Sequence, residues 1–258
     1  MKRMIWDGQG PVFLGKYDPD NGTPEMGFLT GLYQVGCGTR TLTTTPSIES
    51  TTISESCTGE RLPLAEIPGP KKLAVSLSMQ QFDGRTLAKA FGAEHVEKDA
   101  GTVTDEVLPL LNPGDYFFLK NPKVSSVVIE DSASTPTQYV EGTHYTLEDA
   151  DHGRCKLLDH PTSHEEPVKA DYEYAAYGNI AAFSATKVMT GIIFNGVNQE
   201  GQKSRVIIPR IKLTMGGDFS WISDEAASLE LSGGAMYVPE LYGDADFGQF
   251  MRVDALPV

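Results

Sequence analysis

The densest group of chemically capable side chains is His160, His164, Glu165 and Glu166. Imidazoles and carboxylates this close together could hold a metal ion. Pro161 and Pro167 bracket them, however, and proline breaks the helix that would set His and Glu on one face as a zinc hydrolase requires. The sequence therefore predicts a solvated loop. The other histidines, His95, His144 and His152, have no ligand-like spacing with any cysteine. Asp18, Asp20, Asn21, Gly22 and Glu25 resemble a calcium loop until the positions are counted. From Asp18, the sixth and twelfth places hold Thr23 and Leu29, where such a loop needs Gly and Glu. An ordinary polar turn is the simpler reading.

Nucleophilic and phosphate-binding chemistry finds no better footing. No GxSxG elbow, P-loop or GxGxxG stands between a strand and a helix. The pairs Gly216-Gly217 and Gly233-Gly234 fit turns or bulges at strand ends. Glu148 with Asp149, or Asp244 with Asp246, could serve a glycosidase, but a chain with 35 acidic residues contains such pairs by chance. Cys37, Cys57 and Cys155 are odd in number and far apart, so neither a disulfide framework nor a zinc site is indicated. No catalytic, cofactor-binding or metal residue is assigned, and the expectation is a protein that is not an enzyme.

The elements around these residues read as β structure. Short segments with period-2 alternation recur between Gly, Pro, Asn and Asp. Leu73, Val75, Leu77 and Met79 alternate with Ala74, Ser76 and Ser78, placing one apolar face inward. Val188 to Phe194 and Val206 to Met215 read as two long strands joined through Asn195 to Lys203, and Leu229 and Leu231 mark another that ends at Gly233 and Gly234. One helix follows Asp83 as N-cap and stops at Gly92, with Leu87, Ala90 and Phe91 on its apolar face. From about 112 to 178 the texture changes to short strands, Val124 to Glu130, Thr143 to Glu148, Arg154 to Leu158 and Val168 to Tyr174, predicting a β-rich insertion. Thr39 to Pro70 is dominated by Thr and Ser and broken by prolines. It can form a long hairpin but has no core of its own.

The whole chain carries 258 residues, 40% hydrophobic and 22% charged, which is ordinary for a globular protein. Its formal net charge of −14 argues against a surface that grips phosphate backbones, because such binding needs clustered Lys and Arg. No run approaches ~18 consecutive apolar residues, and the first residues do not form a signal peptide, so no membrane segment and a cytosolic site of synthesis are expected.

The order of these elements resembles the tail tube proteins of long-tailed bacteriophages. The run from Thr41 to Ser50, the run from Glu55 to Leu62, the strand Lys72 to Phe82 and the helix around Leu87 resemble the N-terminal half of that family. Tyr139 to Leu147, Gly153 to Leu158 and Val168 to Tyr174 resemble the central region of one branch, and Ile192 to Asn198, Arg205 to Leu213 and Ala226 to Gly233 resemble its closing strands. The likeness runs from about Thr39 to Arg252.

The resemblance implies an antiparallel β sandwich or barrel of the tail tube type, with one flanking α-helix, a hairpin at about 39–70 and a β-rich insertion at about 112–178, within one domain over residues 1–258. It further implies homo-hexameric rings that stack into a hollow conduit in the virion tail. Tape measure, tail terminator and distal tail proteins would be its partners, and DNA would pass without specific binding. Thr45, Ser47, Ile48, Ser54, Thr58 and Arg61 are the candidates for ring stacking, and Glu49, Glu55, Glu60 and Glu66 for the lumen wall. Two other classes stay open from the residues alone. One is a β-sandwich adhesin or carbohydrate-binding module with Tyr139, Tyr145, Tyr172, Tyr174 and Tyr177 as an aromatic platform. The other is a carboxylate-dependent hydrolase.

Overall fold

The computed structural model describes residues 6–185 and 187–256. In chain order it forms β1 (Val12–Tyr17), β2 (Leu29–Gln34), β3 (Thr39–Ser54), β4 (Pro63–Met79), α1 (Gly84–Ala90), β5 (His95–Lys98), β6 (Gly101–Val107), β7 (Tyr116–Phe118), β8 (Val124–Glu130), β9 (Gln138–Tyr139), β10 (Tyr145–Asp149), β11 (Arg154–Leu157), β12 (Lys169–Tyr174), β13 (Tyr177–Ile180), β14 (Thr190–Val197), β15 (Lys203–Ile211), β16 (Thr214–Met215), β17 (Leu229–Gly234) and β18 (Arg252–Leu256). The protein is mainly β, its sheets are antiparallel, and α1 is the one α-helix among the described residues. That helix is not long and apolar enough to cross a membrane.

Two compact units divide the chain, one made of Met1–His95 and Ile180–Val258, the other of Val96–Asn179. The first is a sandwich. A five-stranded sheet ordered β18-β15-β14-β1-β2 faces a four-stranded sheet ordered β16-β17-β4-β3. Val12, Leu14, Ile192, Ile208 and Ile211 from the first sheet meet Leu73, Val75, Leu77, Met79, Leu229 and Leu231 from the second in one core. The alternation predicted for Leu73 to Met79 is therefore real and faces inward. β14 and β15 are apolar on both faces, because Ile193 and Ile207 pack outward under Phe28, Leu29, Val238, Leu241 and Phe247. That double burial explains why Ile192-Ile193-Phe194 reads as a continuous apolar run.

Two expectations for these strands need correction. The connection after β14 lies at residues 198–202, so Asn195 to Val197 are still in the strand, paired with Lys203 to Arg205. The stretch from Val206 to Met215 is not one strand. Ile192 faces Ile208 while Thr190 faces Ile211, so β15 carries a bulge at Pro209 and Arg210, where a missing backbone N–H is tolerated. After Ile211 the chain crosses to the opposite sheet, where Thr214 and Met215 pair with β17.

Helix α1 forms where the sequence places it. The Asp83 carboxylate accepts from the Thr86 backbone N–H at 2.9 Å and from its hydroxyl at 2.8 Å, satisfying one of the orphan donors of the first turn. Its fully buried residues are Thr86, Ala88 and Ala90, so of the expected Leu87, Ala90 and Phe91 only Ala90 is fully covered. Leu87 is only partly covered, and the Phe91 ring stacks on Trp221 at 6.2 Å.

The second unit begins at Val96, earlier than a reading at about 112–178 suggests, because β6 pairs along β12. It holds a four-stranded sheet, β6-β12-β8-β9, and a three-stranded sheet, β10-β11-β7. β5 and β13 pair where the chain enters and leaves it. Phe117, Leu119, Ile129, Tyr139, Tyr145, Cys155, Leu157, Ala170 and Tyr172 are among the residues of its own core. Asp105 and Ser126 adopt left-handed backbone at the two positions where β12 shifts register against its neighbours. The Asp105 N–H donates to the Asp171 carboxylate at 2.7 Å, which pins one bulge.

Candidate functional site

β3 and β4 pair continuously from Thr39 with Met79 to Ser54 with Pro63. Only the root of this hairpin belongs to the sandwich. From Pro46 onward on β3, and before Leu73 on β4, every residue is exposed apart from Glu55, which is half-buried. Ser47–Ser54 extends about 26 Å at ~3.3 Å per residue. The outer ribbon carries Ile48, Ile53, Leu62, Leu64 and Ile67 in solvent. Apolar side chains on a two-stranded ribbon with no third strand among the described residues make a marginal element and an interaction surface.

The tip is held by one carboxylate. Glu55 accepts from the Thr58 hydroxyl, from the Thr58 backbone N–H at 2.9 Å and from the Cys57 N–H at 2.6 Å. These bonds, the Thr58 hydroxyl's first, hold its carboxyl down at about 2. Gly59 (φ 83°) and Arg61 (φ 52°) then turn the chain through the left-handed region.

Thr45, Ser47, Ile48, Ser54, Thr58 and Arg61 are all exposed along this ribbon. They face Ala74, Lys72, Lys71 and Pro63 in the first four cases and stand at the tip in the last two. The four glutamates fall in different settings. Glu49 forms an ion pair with Lys72. Glu55 is engaged at the tip, and Glu60 lies beside it. Glu66 faces Thr52. Leu42, Thr44, Pro46, Ile48, Ser50 and Thr52 share the face that continues the core, so Glu66 lies on that face and Glu49 on the other. The four therefore do not form one row. An extra residue in β4 between Pro68 and Lys71 makes this grouping invisible to simple alternation, since it reverses the parity of β4 beyond the bulge.

His160, His164 and Glu166 bring ligand-capable atoms within 4.8 Å of one another. The His160 Nε2–H donates to the Leu111 carbonyl at 3.0 Å, leaving Nδ1 to accept from the Tyr139 hydroxyl at 2.9 Å. Both nitrogens are thus engaged. His164 stacks on His160 ring to ring at 4.0 Å, Glu166 accepts from the Val168 N–H, and the Glu165 N–H donates to buried Asp131. The trio is a hydrogen-bonded loop as placed. Asp18 accepts from the Asp20 and Asn21 N–H groups in an Asx turn.

Tyr139, Tyr145 and Tyr172 are 2%, 3% and 1% exposed, so they cannot form an aromatic platform. Burial pushes each of their hydroxyls up to about 12. Tyr174 and Tyr177 pack edge to face at 6.3 Å.

No curated protein matches the chain. Residues 5–254, nearly its whole length, match one family model. On that match the chain belongs to the family described as "Protein of unknown function UCP028589".

Proposed function

We propose that the protein is a structural subunit of a phage tail tube, assembling through homo-hexameric rings that stack into a hollow conduit for genome delivery. The observation that carries this reading is the hairpin whose outer half, among the described residues, pairs with no further strand and holds isoleucines and leucines in water. Unpaired edges and exposed apolar ribbon are liabilities in a free subunit and become contacts in an assembly. β2 and β18 end the five-stranded sheet and offer edges that neighbouring subunits could extend toward a closed barrel.

The net charge of −14 fits a conduit through which DNA slides without being held. The glutamates do not share one face, so at most one side of the ribbon lines the lumen, with Glu49 or with Glu66. Tape measure, tail terminator and distal tail proteins are the partners this role requires, and the virion tail is its location. A carbohydrate-binding module would need a surface other than the buried tyrosines.

Electron microscopy of the purified protein, with light scattering across concentration, tests the reading. Rings or tubes are expected at high concentration. A strictly monomeric species at about millimolar concentration, far above the Kd of a specific interface, would overturn it.

A further inference from the structure

A groove of about 920 Å³ runs beside α1 in the sandwich unit, with Tyr33, Phe91, Phe183, Leu213 and Met215 among the apolar groups that line it. Its charged lining has the opposite sign to the protein as a whole. Lys16, Arg85, Lys89 and Lys212 line it, against one carboxylate, Glu94. Arg85 is paired with Asp83 and lies over the Tyr33 ring at 4.3 Å. Among the described residues, Lys16, Lys89 and Lys212 have no carboxylate within ion-pair distance. The Lys89 ammonium is half-buried and makes one long hydrogen bond, 3.4 Å to the Thr190 hydroxyl. Burial lowers its pKa, so an incoming anion would be favoured there. Three unpaired lysines around an apolar floor, in a chain with 35 acidic and 21 basic residues, describe a receptor for an acidic and apolar segment.

The hairpin carries such a segment. Glu55 is used by the tip turn and Glu49 by Lys72, whereas Glu60 and Glu66 have no ion-pair partner among the described residues. Leu62 and Leu64 lie between them in sequence and are 51% and 70% exposed. Leu64 is the extra residue of a second bulge in β4, between Pro63 and Ala65, and Glu66 faces Thr52 just beyond it. No residue from 47 to 67 lines the groove, so the two complementary surfaces do not meet within one chain.

We infer that the groove beside α1 receives the hairpin tip of a second copy of this chain, with Glu60 and Glu66 against Lys16, Lys89 and Lys212 and with Leu62 and Leu64 on the apolar floor. The inference rests on the tube reading and names the surface on which successive copies join. It also accounts for a basic groove on an acidic protein.

The test is zero-length carbodiimide crosslinking of assemblies grown from an equal mixture of 14N- and 15N-labelled full-length protein, followed by mass spectrometry. Mixed-label peptides joining Glu60 or Glu66 to Lys16, Lys89 or Lys212 are expected. In parallel, the pair Lys89→Glu with Lys212→Glu should raise the critical concentration for assembly at least about tenfold, as should Glu60→Lys with Glu66→Lys, because each places like charges opposite one another. Combining all four should restore assembly, with near-UV circular dichroism showing that each variant is folded. Tubes without these crosslinks, or folded charge-reversed chains that assemble like wild type, would overturn the groove assignment and leave the tube reading standing. Monomers at every concentration would overturn both.

Discussion

Three side chains show how single residues set local order in this protein, and two of them support tests. Glu55 has a folded-state pKa of about 2, below its ordinary 4.5, because Thr58 and Cys57 hydrogen-bond to the charged form. The contribution of a depressed carboxylate is complete above about pH 4.5 and is lost as pH falls through about 2. Amide chemical shifts of Cys57 and Thr58 should therefore titrate with a midpoint near 2, and Glu55→Gln should abolish that transition. A midpoint near 4.5 would show that the cap does not form. Tyr172 is a different case, since its buried hydroxyl donates to Glu106 and accepts from the Asn121 side chain at 3.2 Å. Tyr172→Phe leaves buried Asn121 short of a partner and should lower unfolding free energy by about 1–3 kcal/mol, read from urea denaturation. Asp83 was legible in advance, because a cap is a local property of four consecutive residues, here Asp83 to Thr86. The Tyr172 network was not, since Asn121 and Glu106 reach it across 51 and 66 residues of chain.

Elements follow the same division. The strand from Leu73 to Met79 is legible because its alternation is strict and one face is fully buried. The hairpin root and its outer ribbon are one continuous ladder in space but two different environments. Ordering a residue costs ~1–2 kcal/mol of backbone entropy, and the outer ribbon's Thr, Ser and Pro offer little apolar surface within the chain to offset it. Amides of Thr51 to Leu62 should exchange almost freely in the isolated subunit and become strongly protected on assembly, while Leu73 to Met79 stay protected in both. Equal protection of the two segments in the monomer, by hydrogen exchange, would show that the ribbon is rigid before assembly. The break at Lys212 and Leu213 was hidden because Ile211, Leu213 and Met215 go on alternating with Lys212 and Thr214. A strand that continues and a strand that switches sheets bury the same side chains, so composition does not separate them.

For the molecule as a whole, the insertion has a core of its own, built from Phe117, Ile129, Tyr145, Leu157 and Tyr172 among others. A fragment spanning residues 96–179 should accordingly show dispersed amide resonances and a cooperative thermal transition. A noncooperative melt of the fragment would mean that its core needs the rest of the chain. In the sandwich unit, Lys16, Lys89 and Lys212 line one groove and Glu60 and Glu66 stand on the outer ribbon, none of them with an ion-pair partner among the described residues. Net charge alone points toward repulsion of DNA, whereas the placement of those charges points toward self-association.

What the sequence determined by itself was local: an antiparallel β protein, one capped helix at Asp83, a Thr-rich hairpin without a core, and an insertion of short strands. Such properties depend on the spacing of apolar, turn and capping residues over fewer than about 20 positions, which is the range of period-2 and period-3.6 patterns. Only the tertiary structure decided which strands share a sheet, that the insertion begins at Val96, that three tyrosines are core, and that Glu49 and Glu66 face opposite ways. The reason is geometric. A single extra residue at the bulge between Pro68 and Lys71 reverses the outward face of β4, and the pairing partner that reveals the bulge lies on another strand.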